Sequence, residues 1–248
     1  MIDIHAHILP GVDDGAEDMD TALEMAAIAA ESGVSIMVAT PHSSAFRDQN
    51  LWSSELYARI KELKTRVEAE KIPLLIVPGM EIFANSDTAQ YLKDHRLIGL
   101  LGSRYPLVEF SFTDYAEQAT EILEDISAMG MRPVVAHPER YAYVQEDPSI
   151  LNYWARLGCL LQINRGSLQG RFGRREETLA WELVERGFAF AVASDTHSPN
   201  SRTPNMRDIK ELLSKEISPG VAYQLLSENP WKILSNAEIP KEEPILFR

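Results

Sequence analysis

Four segments of the chain share one pattern, in which a helix-like stretch ends in glycine and an apolar run follows at once. They read ESGVSIMVAT, AMGMRPVVAH, RLGCLLQINR and ERGFAFAVASD. Glycine accepts the left-handed backbone just past a helix end, so each pattern predicts a helix-to-strand turn. The glycines at these turns are Gly33, Gly130, Gly158 and Gly187.

The apolar runs indicate parallel strands that are buried on both faces, because they lack alternation with polar residues. Helices with a 3.6-residue period are predicted between them, for example over 22–32, 56–70 and 116–129. The alternation predicts an α/β fold, a (β/α) barrel forming a single domain over residues 1–248, with a C-terminal tail from about 235 to 248. The seven predicted strands lie near residues 2–5, 34–39, 73–78, 105–110, 132–136, 159–164 and 188–194.

Composition narrows the range of partners. Hydrophobic residues make up 45% of the chain, enough for a substantial core. The net charge of -13 disfavours binding to nucleic acid or to anionic lipid. The chain starts with MIDI rather than a secretory signal pattern, no apolar run is long enough to span a bilayer, and Cys159 is the single cysteine. These features predict a cytoplasmic protein that neither inserts into a membrane nor forms a disulfide within the chain.

Side chains that commonly bind metals follow six of the seven predicted strands. The C-terminal ends of parallel barrel strands converge, and residues i and i+2 on a strand face the same side, so these side chains can share a site. His95 is the one histidine outside the set and is predicted to lie at a surface or helix end. The converging residues are His5, His7, His42, Glu81, Glu109, His137, Asp195 and His197.

Each of these side chains alone could be an ordinary core or surface group, and Asp14 in DDGAED could simply cap the next helix. Together they are harder to explain without cations. Burying several carboxylates and imidazoles at one barrel mouth is severely unfavourable unless divalent metals compensate their charge. Imidazoles and carboxylates without thiolates suit manganese, iron or zinc.

The motifs HAH, DDG, ATPH, GMEI, VEF, VVAHPER and ASDTH resemble those of the polymerase-and-histidinol-phosphatase (PHP) superfamily. More narrowly, residues 1 to about 234 resemble the bacterial manganese-dependent protein-tyrosine phosphatases of capsular and exopolysaccharide gene clusters. The resemblance implies a distorted (β/α)₇ barrel with three divalent metal ions at the C-terminal ends of the strands. Manganese is favoured among these ions, ahead of iron or zinc.

The resemblance also implies a role for each motif residue. One departure is QINRGSLQG, because relatives more often carry small hydroxyl residues where this chain has Asn164 and Arg165. Arg140 in HPER and Arg202 in DTHSPNSR correspond to arginines that bind phosphate. The implied metal sets are His5, His7, Glu81 and Asp195 for the first ion, Glu81, Glu109 and His137 for the second, and Asp14, His42 and His197 for the third.

The resemblance therefore implies hydrolysis of phosphotyrosine by a hydroxide that bridges two metals, while arginines bind the phosphoryl oxygens. The implied partner is a phosphotyrosine protein, in particular the tyrosine-rich tail of a bacterial tyrosine kinase that regulates capsule or exopolysaccharide synthesis. A homo-oligomer is compatible with the sequence.

Other functions stay open at this point. Cys159 and Arg165 have the Cys-x5-Arg spacing of cysteine-dependent phosphatases, but the residues between them predict a strand rather than a phosphate-binding loop. A small-molecule phosphomonoesterase, such as a histidinol-phosphate phosphatase, would use the same metals. A PHP-type nuclease is disfavoured by the net charge. A non-catalytic module that binds a kinase is the alternative of another class.

Overall fold

A computed structural model describes residues 1–113, 115–241 and 244–248. The strands in these ranges are β1 Ile2–Ala6, β2 Ile36–Ala39, β3 His42–Ser43, β4 Leu75–Pro78, β5 Glu81–Phe83, β6 Leu107–Glu109, β7 Val134–Ala136, β8 Leu160–Asn164 and β9 Ala189–Ala193. The α-helices are α1 Met19–Glu31, α2 Ser54–Ala69, α3 Thr88–Lys93, α4 Ala116–Ala128, α5 Ala142–Glu146, α6 Ile150–Leu157, α7 Arg165–Leu168, α8 Arg174–Glu185, α9 Arg207–Glu216, α10 Pro219–Tyr223 and α11 Asn229–Leu234.

The nine strands occupy seven positions in one parallel barrel, because two positions are each formed by two consecutive strands. β2 continues into β3 after Thr40 and Pro41, and β4 continues into β5 after Gly79 and Met80. Pairing runs from β1 through β2 to β4, and from β3 through β5, β6, β7 and β8 to β9. Proline has no N–H to give to a sheet, which explains the break at Pro41, whose carbonyl still accepts from Glu81 N–H at 3.2 Å.

β1 closes the ring against the segment that follows β9. The N–H of His7 donates to Thr196 O, and the N–H of Asp195 donates to His5 O, both at 3.0 Å. The buried carboxylate of Asp3 reinforces the seam by accepting from the backbone N–H of Ser194 at 3.0 Å and from its hydroxyl at 2.5 Å. The structure thus confirms the prediction of a distorted (β/α)₇ barrel.

Successive side chains along a strand pack into two different apolar clusters. On β8, Leu161 and Ile163 pack in the cluster that the surrounding helices share, whereas Leu160 belongs to the second cluster. Gln162 and Asn164 follow Leu160 on the same side of the strand, so that side changes from apolar to polar toward the C-terminal end. This change creates a polar chamber at one mouth of the barrel.

Several local predictions are confirmed. Gly33, Gly130, Gly158 and Gly187 have φ between 78° and 101°, as expected just past a helix end. His95 is exposed and follows α3 by two residues. Within the three described ranges, no helix combines the length and the apolar character needed to cross a membrane.

The segment predicted as a tail lies against the barrel where it is described. The Phe247 ring is 5.2 Å from that of Phe188, just before β9. Asn152 accepts from Phe247 N–H at 3.0 Å and donates to its carbonyl at 2.9 Å. The last residues of the segment therefore pack near the start of β9, at the end of the barrel opposite the polar mouth.

Candidate metal centre

Glu81, at the start of β5, lies at the centre of a ring of imidazoles. His5 Nε2 and His137 Nε2 are 3.0 and 3.1 Å from Glu81 Oε1. His7 Nε2 and His42 Nδ1 are 3.1 and 3.0 Å from Oε2. Each carboxylate oxygen thus faces two imidazole nitrogens. All of these side chains except that of His42 are almost completely buried.

Four more predicted residues extend the cluster on both sides of Glu81. Asp195 Oδ1 is 3.4 Å from both His5 Nε2 and His7 Nε2. Glu109 Oε1 is 3.5 Å from His137 Nε2, and Asp14 Oδ1 is 3.3 Å from His42 Nε2. Ligand atoms within 4.8 Å of one another form four overlapping groups: His7, Asp14, His42 and His197; His5, His7 and Glu81; His5, His137 and Asp195; and His42, Glu81 and Glu109.

Hydrogen bonds on the far side of two imidazoles fix which nitrogen faces the cluster. His5 Nδ1 donates to the amide oxygen of Gln162 at 2.8 Å, and His7 Nδ1 donates to Asp13 Oδ2 at 2.8 Å. When these rings are neutral, their Nε2 lone pairs face inward, and the two nitrogens are only 3.3 Å apart. Nitrogens this close to each other and to carboxylates need positive charge between them, from bound protons or from a metal ion.

In the chain alone, bound protons supply part of that positive charge. Burial lowers the pKa of His5, but Glu81 and Asp195 outweigh it and raise that pKa to about 8. Burial and the neighbouring Glu81 raise the pKa of Glu109 to about 8. Burial and His7 lower the pKa of His197 to about 4. The site thus holds protons where ligands to a metal would have none.

The donor spacing fits divalent metals as well. Ligand atoms at roughly 2.0–2.2 Å from one ion lie about 2.8–3.6 Å from one another, depending on whether the ion is octahedral or tetrahedral, and the distances around Glu81 and Asp195 fall in this range. The donors are oxygen and nitrogen only, as manganese, iron and zinc accept. The residues present therefore fit a multinuclear site of divalent cations.

Left-handed backbone aims three of the side chains at the mouth. His137, Asp195 and Arg202 have φ of 33°, 49° and 51°. This conformation costs a residue other than glycine roughly 1–3 kcal/mol and persists where the surroundings impose it, often at functional sites. Here it turns His137 and Asp195 inward at the ends of β7 and β9.

Both predicted phosphate-binding arginines lie beside the cluster. Arg140 Nη1 is 3.5 Å from Asp195 Oδ2. Arg202 contacts the same oxygen through Nη2, and its Nη1 is 3.0 Å from His197 Nε2. Two cationic side chains therefore flank one edge of the imidazole–carboxylate cluster.

Residues 1–235 match the family described as capsular polysaccharide synthesis, CpsB/CapC. The chain belongs to the CpsB/CapC family. It is 35% identical over 247 residues to the tyrosine-protein phosphatase YwqE of Bacillus subtilis, covering 98% of this chain and 95% of that relative. It is 31% identical to the tyrosine-protein phosphatase CpsB of Streptococcus pneumoniae, covering 94% of this chain and 98% of the relative.

Solved structures agree with this assignment. A crystal structure from a study of YwqE and CpsB, described as unique metal-dependent tyrosine phosphatases, superposes with a TM-score of 0.93 at 35% identity and full coverage of both chains. A lactonase from Listeria monocytogenes superposes with a TM-score of 0.57 at 13% identity, over 96% of this chain and 95% of that one. The latter shows a shared barrel fold alone.

The grouping of donors in this CpsB/CapC chain differs in detail from the implied metal sets. His42 Nδ1 lies with Glu81 and Glu109, and its Nε2 lies with Asp14, so His42 spans two groups. Asp14 is the most exposed residue of the donor cluster, with 67% of its side chain accessible to solvent. Its exposed carboxylate makes it the outermost donor of the cluster.

Sequence reasoning missed the residues that orient the donors. Asp13 accepts from His7, from His42 N–H at 3.0 Å and from Gly15 N–H at 3.0 Å. A Cβ at Gly15 would lie 2.0 Å from His7 O, so the loop requires glycine there. The paired acids in DDG were the available signal, but adjacent identical residues do not reveal which one faces inward.

The residues that depart from the family motif after β8 have separate tasks. The amide nitrogen of Asn164 donates to Asp195 Oδ2 at 2.6 Å, which ties it to the cluster. Arg165 is buried, and its Nε donates to Asp208 at 2.8 Å, while Nη1 donates to Thr203 O at 2.9 Å. Arg165 therefore braces the loop after β9 instead of facing the mouth.

Cys159 lies at the opposite end of the barrel. Five strand residues separate it from Arg165, which corresponds to about 20 Å along an extended chain. Burial raises the pKa of its thiol to about 12. A buried, protonated thiol at the wrong end of β8 cannot attack phosphate at the mouth.

Proposed function

We propose that this chain is a metal-dependent protein-tyrosine phosphatase. Membership of the CpsB/CapC family and the activity named for its relatives support this. The observation that carries the proposal is the meeting of Arg140 and Arg202 at one edge of the donor cluster. A metal cluster alone suits many hydrolyses, whereas two forked guanidinium groups beside it suit phosphate.

The proposed cofactor is a set of three divalent ions, with manganese favoured. When bound, these ions supply an acidified water for attack on phosphorus and positive charge opposite the phosphoryl oxygens. Glu81 lies between neighbouring donor groups, so its two oxygens can serve two ions. The residues proposed to hold the ions are His5, His7, Asp14, His42, Glu81, Glu109, His137, Asp195 and His197.

The protein's own contribution is orientation and charge. Gln162 and Asp13 hold His5 and His7 with Nε2 pointing inward. Arg140 and Arg202 would bind phosphoryl oxygens and stabilise the charge that develops as the ester bond breaks. Cys159 has no part in this scheme, so no covalent phosphoenzyme is needed.

The mouth offers room for an aromatic ring next to the donors. A cleft of ≈ 510 Å³ is lined by His42, Glu109 and Phe83, among others. Phe83 follows Glu81 by two residues on β5, so both side chains leave the strand on the same side. Phe83 is 40% exposed and provides an apolar wall that suits the phenyl group of phosphotyrosine.

The proposed physiological substrate is the phosphorylated, tyrosine-rich tail of a bacterial tyrosine kinase that acts in capsule or exopolysaccharide synthesis. The family description supports the connection with capsule synthesis. The proposed compartment is the cytoplasm, where reducing conditions suit a chain with one buried cysteine.

A substrate panel with manganese-loaded protein tests the proposal. We expect a phosphotyrosine peptide to have a higher kcat/KM than histidinol phosphate or other alkyl phosphomonoesters, and an oligonucleotide to remain uncut. Preference for histidinol phosphate would favour the small-molecule phosphatase instead. Tight binding of the peptide without hydrolysis would favour the kinase-binding module.

A further inference from the structure

Arg140 lies between two phenylalanine rings. Its guanidinium carbon is 4.6 Å from the centre of the Phe112 ring and 4.5 Å from the centre of the Phe172 ring. These residues come from the segments after β6, β7 and β8, so three successive strand ends meet at this stack. Both distances are within the range of cation–π attraction.

Phe172 also faces the second arginine. The guanidinium carbon of Arg202 is 5.8 Å from the same ring centre. One aromatic side chain is therefore shared by the two arginines that also meet at Asp195. Stacking through the face of a guanidinium group uses none of its edge N–H groups, so those that do not already contact Asp195 or His197 can bind phosphate.

The segment after β8 is built to bring Phe172 to this position. A Cβ on Gly166 would lie 2.7 Å from Phe172 Cε2, so the ring packs where only glycine leaves room. The N–H of Arg171 donates to Gly166 O at 2.9 Å and closes the turn. Arg165 donates to Thr203 O, next to Arg202. The segment after β8 therefore contacts Arg140 through Phe172 and the backbone beside Arg202 through Arg165.

We propose that Phe172 is a positioning residue that stacks against Arg140 and Arg202 and presents their N–H groups to the phosphoryl group. This inference rests on the proposed function, because it assumes that the two arginines bind phosphate. It also gives a task to the RGSLQGRFG stretch, which the metal chemistry does not use.

The test compares Phe172→Leu, which removes the ring but keeps an apolar side chain, with Phe172→Tyr, which keeps the ring. We expect Phe172→Leu to lower kcat/KM for p-nitrophenyl phosphate roughly three- to thirtyfold, the range of one or two cation–π contacts. Inhibition by inorganic phosphate should weaken by a similar factor, and bound metal should not change. Phe172→Tyr should stay within about twofold of the parent, since its ring keeps the same stacking face.

A second variant displaces the ring without changing it. Gly166→Ala places a methyl group against Phe172 and should reproduce the phosphate-binding loss of Phe172→Leu. Phe247→Leu is the matched control, because Phe247 stacks on Arg186 at 4.5 Å at the far end of the barrel, and it should leave phosphate inhibition unchanged.

Two results would overturn the inference. One is parental phosphate inhibition in both Phe172→Leu and Gly166→Ala, and the other is an equal loss in Phe172→Tyr and Phe172→Leu. An inactive parent would instead contradict the proposed function, and full activity in Arg140→Ala would contradict the phosphate-binding role of that arginine, on which the inference rests. Assaying all variants together keeps the two failures apart.

Discussion

Gln162 offers a sharp test of how the barrel orients its donors. It is completely buried, its amide oxygen accepts from His5 Nδ1, and its amide nitrogen donates to Asn164 Oδ1 at 2.9 Å. Gln162→Leu keeps most of the volume but removes the acceptor. The Nδ1–H of His5 is then unsatisfied, and the ring gains nothing by keeping its lone pair on Nε2, toward Glu81.

Two independent estimates of the effect agree. Losing a partner that orients a metal ligand typically costs about 10- to 100-fold in metal affinity, or about 1.4–2.7 kcal/mol. Leaving a buried donor without an acceptor costs about 1–3 kcal/mol. We therefore expect manganese to bind Gln162→Leu roughly 10- to 100-fold more weakly than the parent.

Competition with a fluorescent chelator measures this change directly. Gln90→Leu serves as a control, since Gln90 is exposed and its amide donates to Asp94 on the surface. Melting curves of the metal-free proteins separate weaker metal binding from partial unfolding. Parental manganese affinity in a folded Gln162→Leu variant would refute the idea that this amide sets the orientation of His5.

Three further predictions follow from the same site. Arg140→Ala or Arg202→Ala should cost roughly 2–4 kcal/mol in kcat/KM, as for the loss of one preorganised donor, while atomic absorption finds parental metal. Cys159→Ser should leave kcat within a few-fold of the parent, and a loss of about 100-fold would restore a cysteine mechanism. Manganese affinity, measured by calorimetry, should rise with pH up to about 8 and then level off. His5 must lose a proton to bind the metal, and Glu81 and Asp195 raise its pKa to about 8 despite the opposing effect of burial.

The same pKa shift fixes the sign of a stability effect. The pKa of His5 is raised to about 8 in the folded chain, so protonation of His5 stabilises the metal-free fold. This stabilisation is complete when the pH is below about 6.5, the ordinary pKa of histidine. That stability is lost as the pH rises through about 8. Metal-loaded protein should lack this loss, because the ligating nitrogen carries no proton.

The sequence was sufficient to predict which side chains lie close together, because the C-terminal ends of parallel barrel strands converge at one mouth. Once HAH, GMEI and ASDTH are placed at strand ends, the pleat brings His5, His7, Glu81 and Asp195 to one mouth. It could not predict which donor atoms lie closest together. In the structure the two nitrogens of His42, at the start of β3, face different donor groups.

The orienting residues escaped sequence reasoning for a different reason. Gln162 and Asn164 lie within an otherwise apolar strand, and nothing local shows that their side is the polar end of the barrel. Asp13 and Asp14 are neighbours of the same type, yet one accepts three hydrogen bonds and the other is mostly exposed. Contacts across the barrel decide these roles, and such contacts leave no periodic pattern.

The most direct test of the metal mechanism is a titration of metal-free protein with manganese in which bound metal and phosphotyrosine-peptide hydrolysis are measured together. We expect negligible turnover without metal, and turnover that rises with bound manganese until the three proposed positions are filled. Full turnover by the metal-free chain would contradict the account, as would manganese binding that leaves turnover unchanged.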